Sequence, residues 1–250
     1  MFWDGLLLVV VTAMAVTLSY LRDPRWKAVI LTLPIPFTVT FLALGARVDT
    51  LNLAGMSILW MFTHVVRILH SKVRWPIVPA IFVATALYIT FGSLSALAIP
   101  RTDLSFLIGA ALMLVSAVIV LLTSPEPKEP GNRTLLPLKW KVPLTLLLVT
   151  MVLSLKFVLQ GTMTFFPMVG VFGAYESRLS LSTYCRQIPR LMLAMVPMLV
   201  FMRYAQPVVG IAWCLVGGWL VYSVIMFPLM LRVFKSQGPL SRPQVTATLP

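Results

Sequence analysis

Apolar runs of about twenty residues recur from one end of the chain to the other, with only short polar gaps between them. In hydrocarbon no water is present to satisfy backbone N–H and C=O groups, so each run must close its own hydrogen bonds as a helix. Composition points the same way. The chain is 59% hydrophobic and 11% charged, against about 25% charged in soluble domains, and its mean hydropathy is +0.95. The expectation is an all-α, polytopic transmembrane helix bundle in which residues 1–250 form a single integral membrane domain.

The net charge of +13 raises nucleic acid as a partner, and the distribution of the charge argues against it. Basic residues stand singly or in small groups at the ends of apolar runs, without the clustered stripe a phosphate backbone needs. The first run carries Asp4 ahead of it and Arg22, Arg25 and Lys27 behind it. That is the reverse of a secretory signal peptide, so the expectation is a retained first helix with its N-terminus outside.

Hydropathy and helix breakers place about nine spans, at residues 3–21, 28–46, 51–70, 76–99, 104–122, 136–155, 157–175, 181–202 and 207–234. A first half with the fifth span covers 1–123 and a polar, proline-rich cytoplasmic linker covers 124–141. A second half runs over 142–234, and a polar tail, expected to be disordered, follows at 235–250. Basic residues concentrate on the loops near Arg22, Arg67, the linker and Arg178 and on the tail, so that face is expected to be cytoplasmic. Merging 136–175 into one span would put the basic tail outside. The Asn132 sequon then lies in the cytoplasm and is inert.

The two halves share punctuation at one constant offset. Pro36 corresponds to Pro167, Phe41 to Phe172, Ala43 to Ala174, Arg47 to Arg178 and Pro76 to Pro207. With one span between two groups of four, the groups cross in opposite directions, giving an inverted 4+1+4 repeat with proline-broken helices, as in many secondary transporters. The runs from Trp26 to Thr38, which contains Pro34 and Pro36, and from Gly161 to Pro167 resemble the hairpin of the small GlpM-like bacterial inner-membrane proteins. In that family a Gly and a Phe-Pro motif sit early in the second helix. The resemblance covers one hairpin per half and implies a small protein of the bacterial inner (cell) membrane, multi-pass, here with its C-terminus cytoplasmic.

Arg186 and Arg190 are the heaviest polar load in any span. For a helix starting near residue 181, Arg190 lies roughly 13 Å deep at 1.5 Å per residue, near the middle of a core about 30 Å thick. An intramembrane cation marks a site unless it snorkels to the interface or pairs with a carbonyl or a carboxylate such as Glu176. Guanidinium forks suit carboxylate or phosphate, and Tyr184 and Gln187 add hydrogen-bonding groups nearby. His64 and Arg67 share a helical face with Trp60 and either join that pocket, with His64 coupling protons, or are solvated near the membrane surface. Pro36, Pro167 and Gly170, with Pro34 and Gly173, either expose backbone to a solute or kink helices for packing. Cys185, Cys214, Met192, Met195 and Met198 read as packing residues.

No phosphate-binding loop, HExxH, CxxC or intramembrane carboxylate pair is present. The expectation is therefore no enzyme, no metal and no cofactor, with membrane lipids and a small anionic or polar solute as partners. The leading function is a small secondary transporter or exporter. The alternative is a membrane scaffold or accessory subunit of an envelope complex, with lipid- or partner-binding arginines in a homo-oligomer or with a complex partner. A transferase acting on a lipid phosphate would need a metal-dependent role for Asp103 or Glu176.

Overall fold

Prolines and short polar side chains decide where the helices of this chain begin and stop. A computed structural model describes residues 2–21, 23–124, 129, 143, 146, 147, 150, 154 and 156–236, and every regular element among them is helical. Helix α1 is Phe2–Tyr20, α2 Pro24–Thr32, α3 Ile35–Leu44, α4 Thr50–Arg67, α5 Ile77–Ala98, α6 Asp103–Thr123, α7 Lys156–Leu159, α8 Met168–Glu176 and α9 Leu181–Ser236. A π-helical turn, Ile68–Lys72, extends α4, and a 3-10 turn, Gln160–Phe165, extends α7. Helix α4 opens on a capping box. The Asp49 carboxylate accepts from the Leu51 N–H at 3.0 Å, and Asn52 Oδ1 accepts from the Asp49 N–H at 2.7 Å. Thr102 and Ser105 build the same box for α6. Each satisfies donors that a helix start leaves open.

Among the described residues, four helical runs are long and apolar enough to cross a membrane: Thr50–Lys72, Ile77–Ala98, Asp103–Thr123 and Leu181–Arg232. The last, at 52 residues, is far longer than one crossing, and it is a hairpin. Cys214 Sγ donates to the Met202 carbonyl at 3.4 Å, whereas residues twelve apart in a straight helix stand about 18 Å apart. The reversal falls at Gly210, whose φ of 75° only glycine adopts freely. Its two limbs occupy the regions expected as spans 181–202 and 207–234.

The expected count of nine continuous spans is too high for the described residues. The apolar part of α1, Phe2–Leu18, is short for a crossing. The region 28–46 is two helices, α2 and α3, separated at Leu33 and Pro34; the region 157–175 is α7, the 3-10 turn and α8, separated at Phe166 and Pro167. Proline lacks an N–H and restricts the residue before it, so neither ladder continues through the break. The expected span 136–155, the linker apart from Ser124 and Glu129, the Asn132 sequon and the tail beyond Ser236 lie outside the described residues or nearly so.

The two broken helices run antiparallel and cross at their breaks. At one end Lys27 Nζ, on α2, donates to the Glu176 carbonyl that ends α8, at 3.2 Å. In the middle the Phe37 and Phe165 rings stand 5.2 Å apart. At the other end Leu44 and Ala46, at and beyond the close of α3, share a cavity wall with Gln160 and Gly161. Helix α4 presses on the 3-10 turn so closely that a Cβ at Gly55 would lie 2.7 Å from the Thr162 carbonyl oxygen.

Charged groups collect at the two ends of the bundle. At one end Arg101 Nε lies 3.7 Å from Asp49 Oδ2, and Arg203 donates to Asp103 Oδ1 at 2.7 and 2.9 Å and to the Val48 carbonyl at 2.8 Å. At the other end the Glu129 carboxylate accepts from the N–H groups of Ser182 and Thr183, capping α9, and Lys27 and Glu176 are buried. Between the ends the outward side chains are apolar, with Phe82 69%, Leu112 65% and Trp213 71% exposed. Such a surface is compatible with a hydrocarbon surround.

Candidate functional site

A broken helix leaves backbone groups without intrahelical partners, and their fate defines the site. On the carbonyl side, neighbouring helices supply donors. The Tyr222 hydroxyl donates to the Thr32 carbonyl, which ends α2; Tyr88 contacts the Thr162 carbonyl of the 3-10 turn at 2.8 Å and the Gly55 carbonyl inside α4 at 3.1 Å, and Tyr184 donates to the Gly170 carbonyl inside α8 at 2.8 Å, so these two brace the breaks from neighbouring helices. Trp219 Nε1 donates to Thr38 Oγ1 at 3.0 Å, tying the last limb of the hairpin to α3. The donor side is different. Helices α3 and α8 both start directly after a proline, and neither has a side-chain cap. The Met168 N–H turns back to the Phe166 carbonyl at 2.7 Å. By helix geometry the N–H groups of Ile35, Phe37, Val169 and Gly170 have no acceptor within their own helix.

Both uncapped starts border one cavity of about 80 Å³. Leu33, Pro34, Pro36 and Phe37 form one wall, Phe165, Phe166, Pro167 and Gly170 the other, and Tyr184, Gln187 and Leu59 close it. The volume admits a small ion or a few waters. Gln187 is 3% exposed, and its Oε1 has no hydrogen-bond partner among the described residues. An amide left so costs about 1–3 kcal/mol, and such a group marks a place where a bound molecule completes the network. Among the described residues no ionised side chain lines this cavity; their contribution to its electrostatics comes from two helix N-termini, each equivalent to about half a positive charge.

Of the nine residues singled out in the sequence, Tyr184, Gln187, Pro36, Pro167 and Gly170 line this cavity, and four lie elsewhere. The Arg186 guanidinium donates to the carbonyls of Ser124 and Leu121, the latter at 3.2 Å, and so closes the C-terminus of α6, where a cation is favoured. Arg190 is buried, 7% exposed, but borders neither cavity described here. His64 is half-buried, with Nδ1 3.0 Å from the Trp60 carbonyl and its ring edge-on to Trp60 at 5.3 Å. Arg67 is half-buried at the close of α4. Cys185 donates to the Thr63 carbonyl at 3.1 Å, as a packing residue does. Among the described residues no group of three His, Cys, Asp or Glu side chains is placed to hold a metal.

A second cavity, about 360 Å³, lies past the end of α3 and is bordered by Arg47, Asp49, Asn52, Arg101, Gln160 and Thr164. Arg101 reaches Gln160 Oε1 as well as Asp49. Asn52 Nδ2 donates to Thr164 Oγ1 at 3.1 Å and to the Gly161 carbonyl at 3.3 Å, pinning the 3-10 turn to α4. Burial pushes the Asp49 carboxyl above its ordinary value, against the lowering effect of the Leu51 N–H and of Arg101. Thr164 borders both cavities. Sequence reading passed over Asn52, Tyr88, Gln160 and Tyr222. The available signals were the Asp49-x-x-Asn52 capping pattern and the need of a buried tyrosine hydroxyl for an acceptor. Compared with protein-family models, curated proteins and solved structures, the chain matches none.

Proposed function

We propose that this chain is a small secondary transporter or exporter that binds an anionic or polar solute where its two broken helices cross. The observation that carries the reading is the convergence of two uncapped helix starts, at Ile35 and Met168, on a cavity that Gln187 also lines, its amide oxygen without a partner among the described residues. Helix N-termini attract negative charge through open N–H groups and the aligned backbone dipole, and an amide side chain can turn its NH2 group toward the same ligand. The absence of an ionised group from the described lining suits a solute of low charge, since a multivalent anion would go uncompensated there.

On this reading the antiparallel pair of broken helices is the centre of an inverted repeat, the arrangement in which a solute site is alternately opened to either side. The repeat supplies what the resemblance to GlpM-like hairpins implies for each half. The basic loops set the N-terminus outside and the C-terminus in the cytoplasm of a bacterial inner membrane.

Uptake into proteoliposomes, screened with monovalent anions and small zwitterions, tests the reading in wild type, Gln187→Leu and Gln187→Glu. Both variants are expected to lose at least about tenfold in uptake, the loss of one hydrogen bond to a charged group. Gln187→Glu should be the worse for anions, through like-charge repulsion. Uptake unchanged in both, at unchanged melting temperature, would sink the transporter and favour the accessory-subunit reading.

A further inference from the structure

The larger cavity has a composition the smaller one lacks, two guanidinium groups beside one carboxylate. Arg47 is exposed, and the side chains of Arg101 and Asp49 are 47% and 20% exposed. We propose that this cavity is a staging site for an oxyanion, a carboxylate or phosphate group held between Arg47 and Arg101, and that its occupation is coupled to uptake of one proton by Asp49. Its staging role rests on the transporter reading; the binding and the proton linkage do not.

The two oxygens of Asp49 are unequally committed. Oδ1 accepts from the Leu51 N–H at 3.0 Å and holds the start of α4. Oδ2 faces Arg101 Nε at 3.7 Å, longer than a hydrogen bond. Arg101 can therefore turn its fork to an incoming oxyanion without breaking a hydrogen bond to Asp49, and a guanidinium fork matches an oxyanion better than it matches a single distant oxygen. The incoming negative charge then stands beside the Asp49 carboxylate. Like charges at that separation favour the neutral form of one of them, so Oδ2 takes a proton from solvent while Oδ1 keeps the cap. The one other bond exchanged is that from the Arg101 guanidinium to Gln160 Oε1, which the oxyanion replaces. The product is a neutral Asp49 and an oxyanion on two arginines.

The other groups around Asp49 fit this exchange. Arg203 reaches it from α9 but is held by Asp103 and the Val48 carbonyl. From the 3-10 turn the cavity receives only the uncharged Gln160, Gly161 and Thr164. Burial already holds the carboxyl above its ordinary value, so the neutral form is less costly to reach there than on a carboxyl in water. Inward from the cavity lies Thr164, which also borders the site at the helix breaks, with the stacked Phe37 and Phe41 and the tilted Phe37 and Phe165 rings beside it. A solute moving inward would have to part these rings.

The oxyanion has two sources, a free solute or the phosphate of a lipid headgroup, and calorimetry on the full-length protein in nanodiscs separates them. Acetate and inorganic phosphate, titrated near pH 6 in two buffers of different ionisation enthalpy, report affinity and protons taken up. In zwitterionic lipid we expect saturable binding with uptake approaching one proton. Asp49→Asn should bind without that uptake, and Arg101→Gln and Arg47→Gln should each weaken binding at least about tenfold. Arg47→Gln guards against a folding defect, because Arg47 is exposed. Binding unchanged in both arginine variants would overturn the site, and binding without proton linkage in wild type would overturn the coupling. Loss of acetate and phosphate binding on adding phosphatidylglycerol would overturn the free-solute source. If the outer site titrates as described while no uptake is found into proteoliposomes, the transporter reading fails and this site stands.

Discussion

Asp49 shows how far a residue's role depends on its surroundings. In the chain it is one acid in a short connection; in the fold it caps α4, borders a cavity and lies largely buried. Burial is the largest influence on its carboxyl and raises the pKa above 3.8, so the folded state holds the proton more tightly than the unfolded chain does. The sign follows: Asp49 lowers stability above its folded pKa, and that loss is recovered as pH falls through the folded value toward the unfolded one. Asn caps helices as well as Asp does. The melting temperature of Asp49→Asn should therefore exceed that of wild type at neutral pH, with the gap closing as the pH is lowered through the acidic range. A gap that widens on acidification would refute the assignment. Gln187 and Arg186 make the complementary point. Both were legible as polar load in an apolar helix, but only contact partners show that Arg186 serves the end of α6 while the amide oxygen of Gln187 is left open among the described residues.

At the scale of elements, the breaks carry the design, and they hold because other helices brace them. Helix α4 lies against the 3-10 turn, where Gly55 meets the Thr162 backbone and Tyr88 bridges both carbonyls. Gly55→Ala should cost about 2 kcal/mol, typical of overpacking where the obstacle is backbone that cannot rotate away. At Gly109 an added methyl would meet only the Leu53 side chain at 3.4 Å, so Gly109→Ala should be close to neutral or stabilising. Thermal melts of both variants in one detergent check the contrast, and equal melting temperatures would show that the α4 contact is not close in solution. The positions of the breaks were readable from Pro34 and Pro167, because proline acts on the backbone locally. Their antiparallel crossing was suggested only by shared punctuation, since an apolar helix face does not specify which other face it meets.

For the whole molecule, the decisive arrangement is the sorting of charges to two ends. Asp49, Arg101, Asp103 and Arg203 gather at one; Lys27, Glu129, Glu176 and Arg186 gather at the other. The same division emerges from counting basic residues along the chain, and it yields a labelling test. Both native cysteines are buried, so each new exposed one reports cleanly. In right-side-out vesicles an impermeant maleimide should modify Ala46→Cys and spare Ser71→Cys. The reverse pattern would invert the orientation, and labelling of both would remove the membrane between them.

The sequence by itself determined the apolar character of the segments, the helical answer to it, the places where helices must stop and the sorting of charges to segment ends. Each of these follows from local chemistry: hydropathy, missing N–H groups and charges near segment ends. Only the tertiary structure decided that Leu181–Ser236 doubles back at Gly210, that Arg186 is engaged in holding a helix end, and that two cavities lie along the crossing of the broken helices. Those outcomes depend on which surfaces pack together, and among near-uniform apolar faces that choice rests on shape complementarity between residues far apart in the chain.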